Sequence, residues 1–100
     1  MVTIRATALF LGRVQGVCFR AFTREQAEKN RLTGWVRNCA DGSVEAVFEG
    51  DEKSVRNVLS CCKQGPPGAQ VTGVDCTWMP ATGEFSGFSI RFDRISSVDG

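Results

Sequence analysis

The chain has 100 residues, a length for one domain with a modest core that folds without staples. Twelve Lys and Arg against eleven Asp and Glu leave a formal net charge of +1, which excludes a general polyanion binder. Histidine and tyrosine are both absent, so imidazole catalysis, histidine metal ligation and Cys-His or Ser-His pairs are excluded.

Val2 to Leu11 reads as a first strand, with Ile4, Ala6, Ala8 and Phe10 on one face and Thr3, Arg5 and Thr7 on the other. Gly12 to Arg20 then forms a loop that ends a strand and opens a helix. Such a loop aims free backbone N–H groups at one spot, and the helix dipole adds positive charge there. Gly12 and Gly16 permit sharp folding and close approach to a ligand. Arg13 and Arg20 bracket the loop with planar donor forks suited to phosphate. The stretch reads as an anion cradle. It lacks the Gly-Lys-Ser/Thr of a Walker A loop and the G-x-G-x-x-G of a dinucleotide fingerprint. Charge distribution agrees: residues 1–40 carry a net +5 and residues 41–100 a net −4.

A first helix follows from Phe19 or Ala21 to Asn30, with a ragged apolar pattern (Phe22, Ala27). Gly34 ends the connection, Trp35 to Cys39 is a second strand, Asp41-Gly42 signals a hairpin, and Ser43 to Glu49 is a third strand. Gly50-Asp51-Glu52 opens a second helix whose Val55, Val58, Leu59 and Cys62 form a buried stripe. Gly65-Pro66-Pro67-Gly68 stops it. Val74, Cys76 and Trp78 alternate in a fourth strand, and Phe88, Ile90 and Phe92 in a last one. Residues 93–100 form a short polar C-terminal tail beyond a domain at 1–92.

The order β-α-β-β-α-β plus an extra strand predicts an α+β, ferredoxin-like split β-α-β sandwich: one antiparallel sheet with two helices on one face. The β-α-β crossover makes strands one and two parallel, with strand three between them. Their C-terminal ends then share one edge of the sheet. The 12–20 loop and Asn38 are brought to that edge.

G-R-V-Q-G-V-x-F-R at Gly12 to Arg20, followed by G-W-V-R-N at Gly34 to Asn38 and then Asp41-Gly42, resembles the acylphosphatase signature. The resemblance runs from about Ile4 to Phe92. It implies hydrolysis of the carboxyl-phosphate bond of acyl phosphates to a carboxylate and inorganic phosphate. It implies that Arg20 holds the phosphate and that the backbone N–H groups of Gln15, Gly16, Val17, Cys18, Phe19 and Arg20 close around it. It gives Asn38 the role of placing the attacking water. Read alone, Arg20 is a surface cation within reach of Glu25, and Asn38 is a turn residue before Asp41-Gly42. The substrate class suits the composition: an acyl phosphate expels a stable carboxylate, so little proton donation is needed. No metal and no cofactor is expected. Cys39 and Phe92 stand where the family often has Thr and Tyr.

Arg13 either steers anions or solvates the strand end, and Gln15 matters through its backbone. Cys18 lies among N–H groups and arginines, as an acidified thiol or a small packed hydrophobe. Of the adjacent Cys61 and Cys62 only one can face the core. Trp35 and Trp78 read as packing residues. Five cysteines without a C-x-x-C pair or a signal peptide suggest a reducing cytoplasm. The chain is expected to be monomeric, with no nucleic-acid partner and no membrane span. A non-catalytic module of the same fold, binding a phosphorylated metabolite or RNA, is the alternative. A third reading is an accessory domain of a carbamoyl-phosphate-using maturation enzyme.

Overall fold

The computed structural model describes residues 2–92; the tail expected at 93–100 lies outside the described residues. Seven elements follow in the expected order: β1 (Thr3–Arg13), α1 (Phe19–Lys29), β2 (Thr33–Asn38), β3 (Val44–Asp51), α2 (Glu52–Gln64), β4 (Gln70–Pro80) and β5 (Phe88–Arg91). The five strands make one sheet in the order β4-β1-β3-β2-β5. β3 separates β1 from β2 and runs antiparallel to both, so β1 and β2 point the same way. Their C-terminal ends share an edge, as the sequence implied. The sheet is mixed rather than antiparallel throughout, because β5 pairs with β2 in parallel. The cause is the 81–87 connection, which carries the chain from the β4 edge to the opposite edge and reverses it once.

Alternation on β1 buries Ala6, Ala8 and Phe10 completely, and β3 does the same with Val44, Ala46 and Phe48. These pack in one cluster with Phe19 and Ala27 of α1 and Val55, Val58 and Cys62 of α2, so both helices cover one face. On α2 Val55, Val58 and Cys62 are buried as expected, whereas Leu59 and Cys61 are half-buried. Burial pushes the Cys62 thiol up to about 12. The ragged pattern of α1 has a specific reason. Its buried positions are Phe19, Thr23 and Ala27, and Thr23 is polar. The Thr23 hydroxyl donates to the Phe19 carbonyl at 2.9 Å, which satisfies it inside the core.

Two glycines carry the strands where no other residue fits. Gly34 lies inside β2 rather than ending the connection. With φ at 136°, its missing Cβ lets the Val47 carbonyl approach. Gly12 marks a bulge in the β1–β4 pairing, between Leu11 and Gly12, where a Cβ would meet the Gln70 carbonyl. The strand therefore continues through Arg13, opposite Gln70, and the loop begins later than the sequence suggested.

The face away from the helices is not simply wet. Arg5 of β1 stands opposite Glu49 of β3, and Glu49 is only 4% exposed. Its carboxylate accepts from the Arg5 Nε at 2.5 Å, from the Thr82 and Gly83 N–H groups at 3.0 Å each, and from the Thr82 hydroxyl at 3.1 Å. One carboxylate thus pins the 81–87 connection across the sheet. Burial works to raise this carboxyl, but the Thr82 N–H, Arg5 and the Gly83 N–H outweigh it and hold the group below its usual range. A depressed folded value stabilises the protein above the ordinary carboxyl value of about 4.3 and loses that stabilisation as pH falls through the folded value. Thermal melts from pH 7 to pH 3 should therefore show a falling Tm below about pH 5. Glu49→Gln should lower the pH 7 Tm by about 5 °C or more and flatten part of that slope. Glu84 and Asp41, both held low by hydrogen bonds, supply the remainder. An unchanged Tm and an unchanged slope in Glu49→Gln would refute the pin.

Among the described residues no helix is long and apolar enough to cross a membrane.

Candidate active site

The sharp turn between β1 and α1 is set by two left-handed residues. Val14, 1% exposed, anchors the strand end in the core. Gly16 then takes φ 76°, where a Cβ would meet nothing within 4 Å; its backbone conformation, not crowding, favours glycine. Cys18 takes φ 61° and ψ 27° as the residue before α1, without glycine's freedom and without a side-chain cap bond. Such a non-glycine conformation costs on the order of 1–2 kcal/mol. Left-handed residues among right-handed ones make concavities of backbone N–H groups that bind anions. Among the described residues, none of the N–H groups from Gln15 to Cys18 donates to a backbone carbonyl outside the sheet and helix ladders.

The first turn of α1 contains no acid and does contain Arg20. A cation at a helix N-terminus opposes the dipole by about 0.3–1 kcal/mol. An anion seated between them turns both charges favourable. The surface ion pair with Glu25, the alternative to a phosphate role, is not formed among the described residues; Glu25 reaches Lys29 at 3.6 Å. The Arg20 guanidinium sits over the Phe92 ring at 5.0 Å and points one N–H toward the Arg91 carbonyl at 3.5 Å. Both contacts hold the fork without neutralising it.

Asn38 is the last residue of β2, paired in register with Val44. Its side-chain amide makes no hydrogen bond among the described residues. Asn38 and Arg20 line one open cleft of about 380 Å³ with Gly16, Cys18 and Phe19. Ile90 and Phe92 close the other side as an apolar wall.

Of the residues singled out from sequence, Gly16, Cys18, Phe19, Arg20 and Asn38 converge on this cleft. Val17 packs against the hydrophobic cluster instead. Arg13 stays on the exposed end of β1, outside the cleft lining. Cys18 is exposed, so it is not the packed hydrophobe that was the alternative. Gln15 turns its side chain to the 39–43 turn, where Nε2 donates to the Cys39 and Ser43 carbonyls at 2.8 and 2.9 Å. That side-chain role and the wall of Ile90 and Phe92 were not read from the sequence. The wall was accessible: a last strand parallel to β2 must bring its C-terminal end to the same edge. Trp78 packs against the core beneath Arg56, 4.6 Å from its ring, whereas Trp35 lies on the open face beside Arg91, at 4.5 Å. Among the described residues no group of three or more Cys, Asp or Glu could hold a metal ion.

Residues 6–90 match the family model described as Acylphosphatase. The chain is similar to an acylphosphatase of Pelotomaculum thermopropionicum, 51% identical over 92% of this chain and 100% of that protein. Among solved structures it is similar to the acylphosphatase from Bacillus subtilis, with a TM-score of 0.86 and 36% identity over 88% of this chain and 98% of that one. It is also similar to an acylphosphatase from Coxiella burnetii, with a TM-score of 0.84 and 34% identity over 90% and 94% of the two chains.

Proposed function

Because the chain belongs to the acylphosphatase family, we propose that the cleft between the Gln15–Arg20 loop and the end of β2 is where it cleaves acyl phosphates. That it is an acylphosphatase, with an acyl phosphate as substrate and phosphate as product, rests on the family and on relatives about half identical along their length. The alternative of a non-catalytic binding module is not favoured.

The chemistry follows from the residues. The loop N–H groups and the Arg20 fork bind the phosphate oxygens, where charge accumulates as the bond breaks. Asn38 holds a water through its amide, in line with the phosphorus and opposite the acyl oxygen. The P–O bond to water forms as the P–O bond to the acyl group breaks, and its electron pair leaves on the carboxylate. One water proton passes to a phosphate oxygen of the substrate, so no histidine or acidic side chain is required as base. The observation that carries this reading is that Arg20, on α1, and Asn38, ending β2, line the same cleft.

The same proposal covers the finer properties. Turnover needs no metal or cofactor. The chain acts as a monomer without nucleic acid, in the cytoplasm, where five free thiols are kept reduced. Residues 1–92 are the working domain and 93–100 an appended tail. Release of phosphate from benzoyl phosphate tests the reading. The rate should exceed spontaneous hydrolysis by orders of magnitude and be unchanged by excess chelator. A rate equal to the spontaneous one would overturn the activity, and a chelator-sensitive rate would overturn metal independence alone.

A further inference from the structure

We propose that the Gln15 side chain is a positioning residue that sets the gap between the phosphate cradle and the water held by Asn38. The inference rests on the active-site reading above. Its observation is separate: one amide nitrogen spans the two halves of the site. Gln15 Nε2 donates to the Cys39 carbonyl at 2.8 Å and to the Ser43 carbonyl at 2.9 Å, which uses both its hydrogens. Among the described residues these are the hydrogen bonds that join the loop to the 39–43 turn.

The turn is built to present those two carbonyls. The Cys39 N–H donates to the Ser43 carbonyl at 2.8 Å, and the Gly42 N–H donates to the Cys39 carbonyl at 3.1 Å. The Asp41 carboxylate accepts from the Ser43 N–H at 3.0 Å and from its hydroxyl at 2.6 Å. Each carbonyl therefore accepts once from the turn and once from Gln15, which fills both its lone pairs. Cys39 is the next residue after Asn38, so a shift of this carbonyl moves the Asn38 backbone directly. On the other side, the Gln15 backbone belongs to the loop itself. Glutamine meets the requirement in a way its neighbours in size do not. Glutamate has the length but offers no donor at neutral pH, methionine has the length and no donor, and asparagine is one methylene short.

The effect expected is on geometry at the reacting atoms, where a displacement of about 1 Å costs about 10²-fold. Gln15→Met should lower kcat for benzoyl phosphate by roughly 10- to 100-fold while the inhibition constant of inorganic phosphate stays within about threefold. A merely structural role would move both together with the Tm. The same substitution placed in an Asn38→Ala background should reduce the remaining rate by no more than about twofold, because a positioning residue has nothing left to position. Gln15→Leu, also without a donor, should give the same split and guards against a folding defect particular to one replacement. A kcat for both variants within about threefold of wild type, or a full multiplicative loss in the Asn38→Ala background, would overturn the inference. So would a parallel rise in the phosphate inhibition constant. Wild-type turnover together with an inactive Arg20→Ala would then leave the active-site reading standing, so the two failures are distinguishable.

Discussion

Arg20→Ala should lose activity by on the order of 10²–10³-fold or more and lose phosphate binding with it, while its melting temperature stays close to that of wild type. The loss follows from removing a charge-assisted, two-pronged donor at the place where phosphate charge develops. The unchanged stability follows from the placement of Arg20. Taking a cation out of the first turn of α1 relieves about 0.3–1 kcal/mol of dipole repulsion. Losing the stack on Phe92 costs a comparable amount, about 0.5–1 kcal/mol at an exposed site. The two nearly cancel. Arg20→Lys should recover little, because a point charge does not reproduce the fork. Steady-state kinetics on benzoyl phosphate and thermal melts with and without phosphate check this. Phosphate should raise the Tm of wild type and not that of the variant. A near-normal kcat/KM in Arg20→Ala would sink the assignment of the site.

Asn38→Ala should fail in a different way. The cradle and Arg20 remain, so competitive inhibition by phosphate should be almost intact. The water loses its holder, so kcat should collapse by on the order of 10²-fold or more. A large rise in the phosphate inhibition constant with little change in kcat would make Asn38 a ligand-binding residue. Loss of both, together with a lowered Tm, would make it a support for the 39–43 turn. Circular dichroism melts on the same variant separate these outcomes.

What the sequence disclosed and what it withheld divide along physical lines. Alternation made Ala6, Ala8, Phe10, Val44, Ala46 and Phe48 legible as core, and all are fully buried. The helical spacing of Val55, Val58 and Cys62 was equally plain. Convergence of Arg20 and Asn38 was legible through topology, because parallel β1 and β2 must end on one edge. Other features depend on a partner far along the chain. Thr23 looks polar until its hydroxyl is given the Phe19 carbonyl. Gly34 looks like a stop until the Val47 carbonyl arrives beside it. Glu49 looks like a solvated acid on a half-wet strand until Thr82 and Gly83 cover it. Gln15 belongs to the same class: its spacing to Cys39 and Ser43 has no periodicity to detect, and only a folded turn brings the two carbonyls together.

The strand order β4-β1-β3-β2-β5 carries a consequence for how the chain comes to life on the ribosome. β1 is made first, yet its two neighbours in the sheet are β3 and β4, with Thr3 facing Asp51 and Ile4 facing Pro80. At translation rates of about 5–20 residues per second, β1 waits several seconds for its last partner. The Gln15–Arg20 loop hangs from its end throughout. β3 must arrive before β1 and β2 can be held side by side, and Ile90 and Phe92 arrive later still. No nascent fragment that stops short of Phe92 therefore contains the whole cleft. The cleft can close only once β5 has emerged, in the same step that completes the sheet.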